Sequence, residues 1–190
     1  LITSNGYSYN GKIFQLEEKV NGVLEVIDSI KHIIEIEYID IQSEFNHDSV
    51  ISFRKLLDNE AAPPKFEQLP FDHPLYIMYS SGTTGPPKSI VHGAGGTLIQ
   101  HMKEHQLQCD VQAGKSKIFW FTTCGWMMWN WLVSGLSSGA TVVLYDGSPS
   151  YPNLEKLWKI IDDVGITHFG TSPKFLSACD SGKLLPNEFC

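Results

Sequence analysis

From Ile118 to Tyr145 the chain carries no charged residue, and Trp120, Trp126, Trp129 and Trp131 all fall inside that run. A stretch this apolar must leave water, either into a bilayer or into a protein core. Thr122, Thr123, Asn130, Ser134, Ser137, Ser138 and several glycines interrupt it too often for a membrane span. It therefore resolves into shorter buried elements. A strand over Lys117–Thr122, a turn at Gly125, a buried helix over Trp126–Leu136 and a β-branched strand over Ala140–Gly147 account for the pattern. Helix and strand alternating in this way bury one another only as layers, so the expected fold class is α/β, with sheets flanked by helices.

The flanking sequence repeats that alternation. Val20, Val23, Leu24, Ile27 and Ile30 recur at helical spacing, and Ile33–Ile41 then alternates apolar and polar like a strand. Ser49 is positioned to cap a helix bearing Val50, Phe53, Leu56 and Leu57. The proline-rich stretch 61–74 breaks regular structure and divides a 1–60 α/β segment from a 75–190 segment. Within the latter, Leu75–Tyr79 reads as a buried strand, Ser89–His92 as extended and Thr97–Gln108 as a helix starting after Gly95-Gly96. Asn153 is placed to cap a helix with Leu154, Leu157, Trp158 and Ile161 inward. Ile166–Gly170 forms a strand, and Ser172-Pro173 opens a last helix.

Composition removes several classes of function. A net charge of -7, with Arg54 as the sole arginine, does not suit a nucleic-acid surface. Cys109, Cys124, Cys179 and Cys190 form no paired motif and read as reduced thiols of an intracellular protein. No signal peptide is visible after Leu1. His101, His105 and Cys109 share a helical face as a zinc half-site would, but no fourth ligand accompanies them. They read as an exposed polar face, and no metal site is assigned. His92 and His168 are either active-site groups or hydrogen-bonded histidines at strand ends.

The chemistry is concentrated in YSSGTTGPPKSIVH, Tyr79 to His92. Its hydroxyls, glycines and single lysine offer backbone N–H groups, O–H donors and one positive charge to an anion. A Walker loop needs glycine directly before the lysine and a helix directly after. Here Pro87 precedes Lys88, and Ser89–His92 is strand-like, so that reading fails.

In the order of its residues this stretch resembles the phosphate loop of the adenylate-forming superfamily, to which acyl-CoA synthetases, luciferases and peptide-synthetase adenylation domains belong. The resemblance implies that Ser81, Gly82, Thr83, Thr84 and Gly85 wrap the β- and γ-phosphates of ATP and that Lys88 supplies a nearby cation. Phe121–Gly147 is similar to the acyl-pocket motif of short-chain members. By that resemblance Gly125 and Trp126 stand beside the carboxylate substrate, and Met127 and Met128 line a pocket with room only for a small acyl group. Ile166–Leu176 resembles the strand and turn before the adenine-binding segment, which places Thr171 and Ser172 on the active-site side; capping of the following helix explains Ser172 equally well.

Taken together, and with the upstream YNGK and FEQLPF, these stretches look most like the acetoacetate–CoA ligases of the superfamily. The resemblance implies a cytosolic ligase taking acetoacetate, ATP with magnesium, and coenzyme A as small-molecule substrates. It also implies that residues 1–190 are a central part of the large AMP-binding domain, without the small C-terminal domain and its catalytic lysine. No catalytic residue is thus expected in this stretch, and the 190 residues alone are expected to be inactive. Two other readings stay open: a ligase for another short carboxylate, or a non-catalytic fragment. A hydrolase or kinase is disfavoured by the Pro-Pro-Lys order.

Overall fold

The computed structural model describes residues 1–58, 61–80 and 85–188, and the chain divides into two compact units, Leu1–Lys65 and Phe66–Cys190. In the first unit β1 (Ile2–Ser4), β4 (Ile33–Ile36) and β5 (Val50–Ser52) form a parallel sheet in the order β1-β4-β5, and β2 (Gly6–Tyr9) pairs antiparallel with β3 (Lys12–Gln15). Helix α1 (Glu17–Leu24) contributes Val20 to a core with Ile33 and Phe45. Helix α2 (Phe53–Leu57) follows β5 directly.

Three expectations for this unit need correction. The first helix stops at Leu24, although Ile30 still packs against the Val20 cluster from outside it. The Ile33–Ile41 strand stops at Ile36 because Asn5 takes over the backbone groups that follow. Its Nδ2 donates to the carbonyls of Ile39 and Ile41, both at 2.7 Å, and its Oδ1 accepts from the N–H groups of Tyr38 and Ile39. Finally, Val50 belongs to a strand and not to a helix capped by Ser49. Pairing with β4 satisfies a row of backbone groups, and the helix begins only after Ser52.

In the second unit β6 (Pro74–Ser80) and β7 (Lys88–Gly93) make an antiparallel pair running from Pro74↔Gly93 to Ser80↔Lys88. Helix α3 (Ala94–Lys103) continues into a π-helical turn, Glu104–Gln108. Then come β8 (Lys117–Trp120), α4 (Met127–Ser134), a 3-10 turn (Gly135–Ser138), β9 (Thr141–Val143), α5 (Lys156–Val164), β10 (His168–Gly170) and α6 (Pro173–Ser181). Strands β10, β8 and β9 form a parallel sheet with β8 in the middle.

Period-two alternation on β8 explains why both faces of this sheet are covered. Ile118 (1% exposed) joins Trp131, Leu132, Val111 and Ala140 on one face. Phe119 (3%) joins Leu157, Phe175 and Cys179 on the other. The uncharged run is thus absorbed by β8, α4 and β9. Among the described residues no helix is long and apolar enough to cross a membrane.

Helix α3 starts earlier than its glycines suggest. The N–H groups of Ala94 and Gly95 donate to the carbonyls of His73 and Phe71, which satisfies donors that the helix itself leaves unpaired. Gly95 is required there, since a Cβ would strike the Phe71 ring. The expectation of a buried strand at Leu75–Tyr79 is also corrected: Leu75, Ile77 and Tyr79 of β6 are exposed.

Candidate active site

Strands β6 and β7 come immediately before and after residues 81–87, the stretch expected to bind an anion. Ser81, Gly82, Thr83 and Thr84 lie outside the described residues. Gly85 is exposed in a bend, and Lys88, also exposed, opens β7 opposite Ser80. A strand and not a helix follows the lysine, which sets this loop apart from a Walker loop.

A cavity of about 560 Å³ opens beside the other end of β7. Ile90, Val91, His92 and Gly93 form one wall, Thr97, Gln100, His101 and Glu104 of α3 and its π turn a second, and Trp120, Met127, Met128 and Trp131 a third. Helical geometry explains the second wall, because positions 97, 100, 101 and 104 share one face. The π turn extends that face: Cys109 N–H donates to the Glu104 carbonyl at 2.9 Å, five residues back.

Glu104 is held from two sides. Its Oε2 accepts from Trp131 Nε1 at 3.0 Å and its Oε1 from Gln100 Nε2 at 2.5 Å, which ties α3 to α4 across the chamber. Met127 and Met128 are in the wall of this cavity, whereas Gly125 and Trp126 are not. Trp126 is the residue before α4 and is 67% exposed. The cavity's volume lies in the range of small-molecule pockets, about 300–1,000 Å³.

The clearest departure from expectation concerns the histidines. His101 and His105 are not on an exposed polar face; they are 8% and 0% exposed. His105 Nε2 donates to the Trp131 carbonyl at 2.9 Å, and its ring lies 4.2 Å from that of Trp131. The Nδ1 atoms of both histidines are buried without a hydrogen-bond partner. Burial, reinforced by the neighbouring His105, lowers the pKa of His101 against the opposing pull of Glu104; burial likewise lowers that of His105, against its bond to Trp131. Both rings are therefore neutral near pH 7.

Of the other two histidines, His92 is in the cavity wall, while His168 pairs its Nε2 with the Cys109 carbonyl at 2.6 Å. Ser172 is the N-cap of α6, its Oγ accepting from Phe175 N–H at 3.2 Å. Beside it, Thr171 Oγ1 is buried without a partner. Neither residue borders the cavity. Among the described residues no group of three or more His, Cys, Asp or Glu side chains is gathered to hold a metal ion.

The class of this α/β unit is given by comparison with known proteins. Residues 12–188 match the AMP-binding enzyme family, and the chain belongs to it. It is 48% identical over 187 residues to the acetoacetyl-CoA synthetase of Gallus gallus, covering 95% of this chain and 28% of that one. It is 42% identical over 206 residues to a malonamoyl-CoA synthetase of Penicillium aethiopicum, covering 99% and 28%. The solved acetoacetyl-CoA synthetase of Streptomyces lividans superposes with a TM-score of 0.89 at 41% identity, over 99% of this chain and 28% of that chain. The fold is thus that of part of an adenylate-forming enzyme, and the chain spans about 28% of the length of these relatives.

Proposed function

We propose that the native protein is an AMP-forming acid–thiol ligase that couples acetoacetate to coenzyme A. The observation that carries this reading is strand β7, which bears Lys88 at its start and Ile90 to Gly93 in the cavity wall. At about 3.3 Å per residue, the backbone positions of Lys88 and of Ile90, at the near edge of the chamber, stand only about 7 Å apart along the strand. A carboxylate held at that edge and a triphosphate held by the loop can therefore meet.

In the first step a carboxylate oxygen attacks the α-phosphorus of ATP. The P–O bond to pyrophosphate breaks, and negative charge grows on the leaving group. Lys88, with Ser81, Gly82, Thr83, Thr84 and Gly85, is assigned to stabilise that charge. In the second step the thiolate of coenzyme A attacks the carbonyl carbon of the adenylate; a C–S bond forms as the bond to AMP breaks. Magnesium accompanies ATP as its counter-ion. Met127 and Met128 line the acyl chamber, Gly125 and Trp126 are assigned to the carboxylate side, and Thr171 with Ser172 forms a turn on the nucleotide side. The reaction belongs to the cytosol on this reading.

The relatives' acyl groups narrow the carboxylate. Acetoacetyl and malonamoyl both carry an uncharged carbonyl at C3, one methylene away from the activated carboxyl carbon, so a short acid of that type is the favoured substrate class. The test is carboxylate-dependent ATP–pyrophosphate exchange by the native-length protein, with acetoacetate, acetate and butyrate. Exchange should prefer acetoacetate and should fall by about a hundredfold in Lys88→Ala. Release of inorganic phosphate in place of pyrophosphate would refute the reading.

A further inference from the structure

The chamber is apolar on the walls formed by Trp120, Met127, Met128 and Trp131, yet one buried polar ring stands in its α3 wall with nothing to bind. His101 is more than nine-tenths buried, and no hydrogen bond reaches its ring from any described residue. Nδ1 is the nitrogen buried out of reach, while Nε2 is not sealed and has no partner among the described residues, which leaves it open to a guest in the cavity.

The chemistry of the missing partner follows from the neighbours. A neutral imidazole has one N–H to give, and since Nδ1 is sealed in protein, Nε2 is the nitrogen left to meet a guest. An acceptor is needed. Glu104, one helical turn along, directs a carboxylate toward the same region, with both oxygens already engaged by Trp131 and Gln100. That charge opposes a second carboxylate on the guest but not a neutral carbonyl. An unsubstituted acyl chain would fill the apolar walls and leave His101 unpaired.

We propose that His101 is the specificity-determining residue of the chamber, its Nε2–H donating to an uncharged carbonyl oxygen on the acyl chain of the bound acid. The Gln100–Glu104–Trp131 bridge positions the wall behind it. This inference rests on the acid-activating reading above and adds to it the residue that distinguishes a 3-oxo acid from its saturated counterpart.

The experiment compares kcat/KM for ATP–pyrophosphate exchange with acetoacetate and with butyrate, which has the same carbon chain without the 3-oxo oxygen. It uses the native-length protein, unaltered and as His101→Leu and His101→Gln. The acetoacetate-to-butyrate ratio should fall by about tenfold in His101→Leu, the effect of losing one hydrogen bond to a buried acceptor. It should recover in part in His101→Gln, whose amide N–H can reach the place of Nε2. If both acids slow alike and the ratio stays constant, His101 supports the fold and does not read the substrate. A ratio equally low in both variants would also overturn the proposal, because a retained donor would then confer nothing. Absence of exchange with every acid in the unaltered protein would instead remove the reading on which the proposal depends.

Discussion

At the scale of single residues, short local signals were legible where they depend on neighbours in sequence. Ser172-Pro173 marks the start of α6, and Ser172 does cap it. Replacing Ser172 with alanine should lower stability by about 1 kcal/mol, measurable in a denaturant titration. If Ser172 also served the nucleotide, activity would fall by more than that loss explains. His101 and His105 were not legible, because histidine counts as polar in any periodicity and the ring that covers His105 belongs to Trp131, far along the chain. The signal that could have found the α3 wall is the shared face of Thr97, Gln100, His101 and Glu104, but it points to a cavity only once α4 stands opposite. Asn5 is a similar case: four backbone partners between Tyr38 and Ile41 end a strand that its own sequence would continue.

At the scale of elements, close approach between β8 and β10 shapes the chamber. Gly170 of β10 pairs with Trp120 of β8, and a Cβ at Gly170 would collide with three atoms of the Trp120 indole. That ring meets Trp131 edge-on at 5.5 Å and lines the cavity. A rigid indole cannot yield as a flexible chain end does. Gly170→Ala should therefore cost about 1–3 kcal/mol in a thermal melt and disturb the chamber as well. On the opposite face of the sheet, Leu157 is 1% exposed among Phe119, Phe175 and Cys179. Leu157→Ala should cost about 2–5 kcal/mol in the same measurement without touching the cavity. Elements whose apolar pattern is unambiguous, such as β8 and α6, follow their sequence closely. The exposed apolar residues of β6 show the limit of such reading, since a run of Leu, Ile and Tyr states a preference for burial and does not say what will provide it.

At the scale of the whole molecule, two neutral buried histidines make stability depend on acidity. Burial lowers the pKa of His101 and His105, so the unfolded chain takes up protons before the folded one does. Stability is then unaffected well above the ordinary histidine value and falls as pH drops below about 6.5. His105, Glu104 and His92 face His101, and of these Glu104 alone opposes the effect. The melting temperature of the native-length protein should decline between about pH 7 and about pH 5; a constant value would contradict the buried neutral pair. The chain spans 28% of the length of its synthetase relatives, and its 190 residues alone are expected to form no acetoacetyl-CoA in a thioester assay. Detectable product would overturn that expectation.

Strand β7 joins Lys88 to the chamber by a fixed number of residues, and on the proposed function the far end of the bound acid meets the wall from α3. Reactivity and taste are consequently separable. Changes along one face of a single helix can retune which acid is accepted while the spacing between the acid's reacting end and the departing pyrophosphate is preserved. An insertion in β7 would do the reverse, turning alternate side chains over and disturbing every substrate alike. A designer who wants a new acid should begin at Thr97, Gln100 and His101 and leave the strand untouched.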